Sequence, residues 1–258
     1  MSLTSLAIRF AAPLPKIESY DRFLFIGPHP DDIEIGAGAT AAKLAAAGKQ
    51  VRFLVCIDGR FGDGAAPEGI STGELIALRK AESIASAKMI GADGVDFLGF
   101  CDGGFYNTEE LTRAMAKAIG AYKPQVIFAP DPCVTSECHT DHINVGTAAG
   151  RLACFAAYPR IMEQYGAESA DVQALAYYFT ASPTAYVKTA GYLGQQLHAV
   201  FDCHKSQFPD GSEAGKSIAL YLRLRSADMG LRCFCRGAEG FRVLGQTHMH
   251  CLPEAGKR

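Results

Sequence analysis

The sequence has little of what marks several large classes of protein. Its formal net charge is −2 over 258 residues, with no basic surplus of the kind that binds nucleic acid or anionic lipid. No run of residues approaches the ~20 apolar positions a membrane-spanning helix needs. The opening MSLTSLAIRFAAPLPK has neither a basic start nor a long apolar stretch, and predicts no signal peptide. A disulfide framework is missing too. Nine cysteines is an odd number, their spacing is irregular, and Cys56 lies inside the apolar run VRFLVCID, where a buried thiol belongs. Cys233 and Cys235 are too close for a zinc knuckle or a thioredoxin motif. Repeats, low-complexity tracts and linkers do not occur. These exclusions predict a reducing, cytoplasmic protein with no nucleic-acid partner and no membrane span.

What is present is ordinary globular material, 48% hydrophobic and 20% charged. A chain of this length buries a sizeable core, and the expectation is one domain over 1–258 with its core at about 22–244. The first 150 residues alternate. Apolar runs at 22–27, 51–58, 95–100 and 124–130 predict buried strands. Between them lie helical stretches: Ala-rich 34–49 with Gly48 as its stop, one opened by Ser71 and Glu74 in capping-box spacing and closed by Gly91, one opened by Asn107, and one over 141–158. Strand–helix alternation predicts an α/β fold, Rossmann-like, with a mostly parallel sheet and helices on both faces. The second half is less regular, with a strand expected at 174–180 and a helix at 192–204.

In such sheets ligands bind beyond the carboxyl ends of the strands. His29, Asp31 and Asp32 fall just past the first strand, in GPHPDD. His139, Asp141 and His142 fall past the fourth, in HTDH. The loops after strands two and three bring Asp58, Arg60, Asp63 and Asp102 to the same edge. Two histidines and a carboxylate are a catalytic zinc set that leaves a fourth position for water. The set expected here is His29, Asp32 and His142. Asp31 stays free to take a proton, and His139 to protonate a leaving amine or stabilise an oxyanion. An isolated HxD is commonly a helix cap or an ion-pair partner. Two clusters at equivalent strand ends, using three of only seven histidines, favour ligation. The other histidines, 198, 204, 248 and 250, default to structural or surface roles, as does the tail HMHC. GAGATA (36–41) matches a dinucleotide fingerprint, but eight residues, two of them proline, separate it from the strand end. Its small residues are better explained by a helix packed closely on the sheet.

These motifs resemble the PIG-L/LmbE-like zinc-dependent de-N-acetylases: PHPDDIE (28–34), RKAE (79–82), FLGFCDGGF (97–105) and HTDH (139–142). HKSQF (204–208) and AEGFRVL (238–244) are similar to the family's weaker C-terminal signatures. The resemblance covers about residues 22–244. It implies a Rossmann-like fold and removal of an acetyl group from an N-acetylglucosamine-type conjugate. It also implies His29, Asp32 and His142 as zinc ligands, Asp31 as general base, and His139 as electrophile or acid, oriented by Asp141. Arg79 and Asp102 match positions that touch the sugar, and Arg60 in the glycine-rich loop is a further substrate-binding candidate. Arg79 could instead pair with Glu74 or Glu82 on its helix, and Asp102 could merely begin a turn. Where some members carry an oxyanion-site tyrosine, this chain has Glu137; Tyr106, Tyr177 and Tyr178 are the candidate substitutes.

Histidine and carboxylate ligands suit Fe2+ as well as Zn2+. Two competing functions stand beside the deacetylase: a zinc-dependent hydratase of an unsaturated dicarboxylic acid on the same scaffold, and a non-catalytic metal- or sugar-binding protein. The acyl group, the aglycone and assembly into a homo-oligomer are left open.

Overall fold

The computed structural model describes residues 10–250 and 252. The first nine residues of the N-terminal segment, and Cys251 of HMHC, lie outside them. Among the described residues seven strands form one sheet in the order β3-β2-β1-β4-β5-β7-β6. The strands are β1 (Arg22–Gly27), β2 (Gln50–Ile57), β3 (Gly94–Phe100), β4 (Val126–Pro130), β5 (Ala174–Tyr178), β6 (Ala185–Lys188) and β7 (Ala238–Gly245). The first five pair in parallel, and β7 runs antiparallel to both β5 and β6. The helices are α1 (Asp32–Ala46), α2 (Thr72–Ile90), α3 (Thr108–Tyr122), α4 (Thr140–Phe155), α5 (Pro159–Gln164), α6 (Leu193–Phe201) and α7 (Glu213–Arg232).

Both faces of the sheet are covered, because side chains alternate along each strand. Phe23 and Phe25 of β1 point to a core shared with Phe53, Phe128, Phe241 and the small residues of α1. Leu24 and Ile26 point to the opposite core, against Leu111, Met115 and Ile119 of α3 and Val145 and Leu152 of α4. Parallel register sets Phe25 opposite Phe53 and Phe128, and the Phe25 and Phe128 rings stack at 4.2 Å. The strand order reverses between β1 and β4, which opens a crevice beyond their carboxyl ends. The segments carrying PHPDD and HTDH both leave the sheet there.

The expected caps form. Ser71 and Glu74 make a reciprocal capping box on α2, and Gly91, at φ 89°, ends it. Asn107 accepts from the amides of Glu109 and Glu110 at the start of α3. Gly36 is a packing glycine: a Cβ there would fall 2.2 Å from the Tyr178 ring. The second half departs from its sequence pattern. The strand expected to reach 180 stops at Tyr178, and the helix expected to reach 204 stops at Phe201. Helix α7 was not legible, because Leu220, Leu224 and Leu231 are exposed and no apolar stripe marks an inward face.

Candidate metal centre and active site

Pro28 ends the apolar run of β1, and His29 follows it over the crevice. Asp31 is the N-cap residue of α1, with φ 119° and no side-chain capping bond. A left-handed conformation is unfavourable for a residue with a Cβ and persists where the surroundings enforce it. It turns the Asp31 carboxylate away from its own helix and leaves Asp32 in the first turn. On the other side of the crevice His139 is the N-cap of α4, and Asp141 and His142 lie in that helix's first turn.

The two loops converge. Asp32 Oδ2 accepts the His29 backbone N–H at 2.8 Å and lies 3.2 Å from His29 Nδ1 and 3.4 Å from His142 Nε2. One ligand atom from each of His29, Asp32 and His142 falls within 4.8 Å of the other two. An overlapping group, His29, Asp102, His139 and Asp141, meets the same criterion. His29 Nε2 is 3.2 Å from Asp102 Oδ1 and 3.1 Å from Asp141 Oδ2.

Electrostatics fit this donor set to a cation. Burial works against a charged His29, but hydrogen bonds to Asp102, Asp141 and Asp32 outweigh it and push the ring up to about 12. His142 is lifted to about 9, burial again opposed by Asp32. Asp32 is held well below the usual carboxylate range: burial would raise it, and His142 and His29 overcome that. Three carboxylates around one imidazole are surplus negative charge, which a divalent ion neutralises better than a proton. His142 is also prepared as a ligand. Glu137 Oε2 engages its Nδ1 at 3.0 Å and leaves Nε2 facing Asp32, the carboxylate–histidine arrangement that orients metal ligands.

Asp31 differs from its neighbour. Burial raises it, Arg79 draws it back, and the balance leaves it up at about 6. It lines a cavity of about 370 Å3 together with His29, Arg79, Asp102 and His139. That volume suits a small ligand.

Other site residues sit differently from the sequence expectation. Asp141 is fully buried; its carboxylate accepts the amides of Gly103 and Gly104 at 2.8 and 2.9 Å besides meeting His29. It is 3.8 Å from His139 Nδ1, which instead accepts the Asp141 backbone N–H at 3.3 Å. His139 is thus held by main chain, as an N-cap residue is. Arg79 is buried and lines the cavity, yet its terminal nitrogens donate to Gly59 O (2.8 Å) and Pro30 O (2.9 Å), with Asp31 Oδ2 at 3.5 Å. Glu82 binds Ser206 and Glu74 caps its helix. Asp102 is more than a turn opener: besides His29 it accepts the Phe61 amide at 3.3 Å. Arg60 is engaged by Asp58 and stands off the cavity wall.

The three candidate tyrosines stand off that wall as well. Tyr178 donates to Ile26 O and Tyr177 to Gly146 O, while Tyr106 accepts from Asn144. Sequence reasoning missed Glu137 as a partner of His142, and Phe61 and Gln207 as cavity wall. The acid five residues before His142 was a usable signal for the first. Phe61 lies in the glycine-rich loop and Gln207 in HKSQF, so the sequence marked both segments without singling out either residue. No helix among the described residues is long and apolar enough to cross a membrane.

The chain is similar to known proteins in sequence and fold. Residues 24–153 match the family model described as PIG-L, GlcNAc-PI de-N-acetylase. A diacetylchitobiose deacetylase of Thermococcus kodakarensis is 31% identical over 238 residues, covering 91% of this chain and 87% of the relative. The solved structure of an N,N'-diacetylchitobiose deacetylase from Pyrococcus horikoshii superposes with a TM-score of 0.84 at 27% identity, covering 98% of this chain and 97% of that one. A 4-carboxy-2-hydroxymuconate hydratase from Pseudomonas putida shares the fold alone, at 16% identity and a TM-score of 0.72 over 87% of this chain and 96% of that one.

Proposed function

The chain belongs to the PIG-L family of de-N-acetylases, and from that premise we propose that it is a zinc-dependent hydrolase of N-acetylglucosamine-type conjugates. The observation that carries the reading is the convergence of His29, Asp32 and His142 beside a carboxylate, Asp31, that ligation leaves free. His29, Asp32 and His142 hold the ion, with Glu137 orienting His142. Zinc, when bound, supplies a Lewis acid for the acetamide carbonyl and acidifies water.

The chain's own groups do the rest. Asp31 is the general base that takes the proton of the attacking water. Burial raises its pKa above that of an ordinary carboxylate, which makes it a better proton acceptor. Arg79 steadies it by pinning Pro30 O and Gly59 O, so that two loops hold one carboxylate in place. His139, on the cavity wall and half exposed, donates to the developing oxyanion and then to the departing amine. Asp141 fixes His29 and the Gly103–Gly104 turn, and through its backbone the His139 ring. Asp102 and Arg79 face the sugar. Arg60 joins them only where its Asp58 pair opens. The compartment is the reducing cytoplasm suggested by the cysteine content.

The engaged arginines support amide hydrolysis over hydration of a dicarboxylate. A guanidinium fork free to take such a substrate is lacking at both: the terminal nitrogens of Arg79 have backbone partners, and the Nε–Nη2 edge of Arg60 is taken by Asp58. The deciding experiment is acetate release by the zinc-loaded protein from N-acetylglucosamine conjugates, set against alkene absorbance with unsaturated dicarboxylic acids. Acetate in step with free amine is expected. Absorbance change without acetate would replace this reading with the hydratase.

A further inference from the structure

Helix α7 presses one side on the sheet and leaves the other bare. Leu222, Ser226 and Met229 are buried. They pack so closely that a Cβ at Gly240 of β7 would fall 2.8 Å from Met229 Sδ, and one at Gly237 would fall 2.7 Å from Ser226 Oγ. That contact fixes which way the helix faces. Its other side carries Leu220, Leu224, Ala227 and Leu231, all exposed, the leucines by 58%, 61% and 76%. The spacing is four, three, four. At 3.6 residues per turn these positions fall in one stripe about 60° wide, opposite the buried side. It is also the a/d spacing of a coiled-coil seam. Single exposed leucines need no explanation, but three in register on one side mark an interaction surface.

We propose that this side of α7 is a self-association surface, on which a second copy of the chain lays its own α7 parallel to the first. Leu224 and Leu231 take the a positions of the seam, and Leu220 and Ala227 the d positions. The flanking charges select both partner and direction. Arg223 stands at position g on one flank and Asp228 at position e on the other, both exposed. In a parallel pair g meets the e position five residues on, so Arg223 reaches Asp228 of the second copy, and two-fold symmetry makes the contact twice. An antiparallel pair would put Arg223 opposite Gly230 and bring no acid to it. Asp228 already meets Arg232 of its own helix at 2.8 Å, and a carboxylate accepts from two guanidinium groups at once. An anionic lipid surface fits less well, because Asp228 borders the stripe and Glu213 stands on it, one heptad before Leu220. None of these residues lines the cavity beside the metal centre, so the association does not rest on the deacetylase reading.

Two heptads make a short seam, less than a standard interface, and a dissociation constant on the order of 10 µM is expected. The test is sedimentation velocity on the whole protein from about 1 to about 200 µM. At the upper end the wild type should sediment as a dimer, or as a multiple of one. Leu224→Glu combined with Leu231→Glu should halve that assembly. Circular dichroism and urea unfolding at the lowest concentration should stay as in the wild type, since both side chains are exposed. Arg223→Asp should weaken association about tenfold, and adding Asp228→Arg should restore it. A wild type that stays monomeric throughout, or an assembly that survives the double leucine substitution, overturns the proposal. Indifference to the charge reversal overturns the parallel seam. Flotation with phosphatidylserine vesicles tests the other occupant: a monomer that floats, and no longer does so with Leu224→Glu, replaces self-association with membrane docking.

Discussion

His29 and His204 are both buried histidines held by carboxylates, yet they serve different ends. His204 is sealed at 0% exposure, its Nε2 3.3 Å from Glu34, which also takes the Ser86 hydroxyl. Glu34 raises the His204 pKa against the opposing effect of burial. Glu34 is the one carboxylate in contact with it, while Asp31 and Glu82 act on it from farther away. His29 meets three carboxylates and borders a cavity. Surplus negative charge with access to solvent marks a candidate cation site, and balanced charge without access suits a structural brace. Burial and proximity are common to both; charge count and access separate them.

The widest separation should come from truncating one histidine on each side. His142→Ala is expected to abolish zinc retention and acetate release while leaving urea unfolding of the metal-free protein close to that of the wild type. His204→Ala leaves Glu34 without its buried cation and should lower stability by about 3–5 kcal/mol, with zinc still bound at one ion per chain. Metal analysis and urea melts on the same samples read both arms. Zinc loss from His204→Ala in a folded protein would erase the distinction.

Within the open cluster the proposed mechanism gives the two adjacent aspartates different tasks. Asp31→Asn should keep zinc and lose about 10²- to 10⁴-fold in kcat, the usual contribution of a general base. Unchanged turnover, or a lost ion, would reassign the pair.

A smaller effect distinguishes a third buried acid, far from the ion. Glu239 accepts the amides of Ala39 and Thr40, just after α1 loses helical geometry at Ala37, and also meets Gln196. Burial raises it to about 7, although those hydrogen bonds pull it down. A carboxyl raised above its unfolded value of 4.5 favours the folded state while protonated. That contribution is full below pH 4.5 and is lost as pH rises through 7, on the order of 3 kcal/mol in all. Glu239→Gln should therefore gain stability relative to wild type between pH 5 and pH 8 by roughly that amount in urea titrations. A pH-independent difference would show that Glu239 does not titrate in this window.

Much of the front half was legible. Apolar runs of strand length, capping signals and the position of PHPDD and HTDH after strands one and four are short-range patterns, and the parallel core follows from them. So does the meeting of His29, Asp32 and His142, since both loops leave the sheet where its strand order reverses. The antiparallel pair β6–β7 and helix α7 were not legible, because their burial depends on what they pack against rather than on their own periodicity.

By itself, then, the sequence determined a de-N-acetylase scaffold and named the residues that meet at its candidate metal centre. Only the tertiary structure decided how those residues are held: Glu137 on His142, Asp141 on His29, Arg79 bridging two loops under Asp31, and Phe61 against Phe105. The physical reason is range. Strand and helix patterns are written within a few residues, whereas a hydrogen bond between loops tens to about a hundred positions apart exists only after the chain has closed around it.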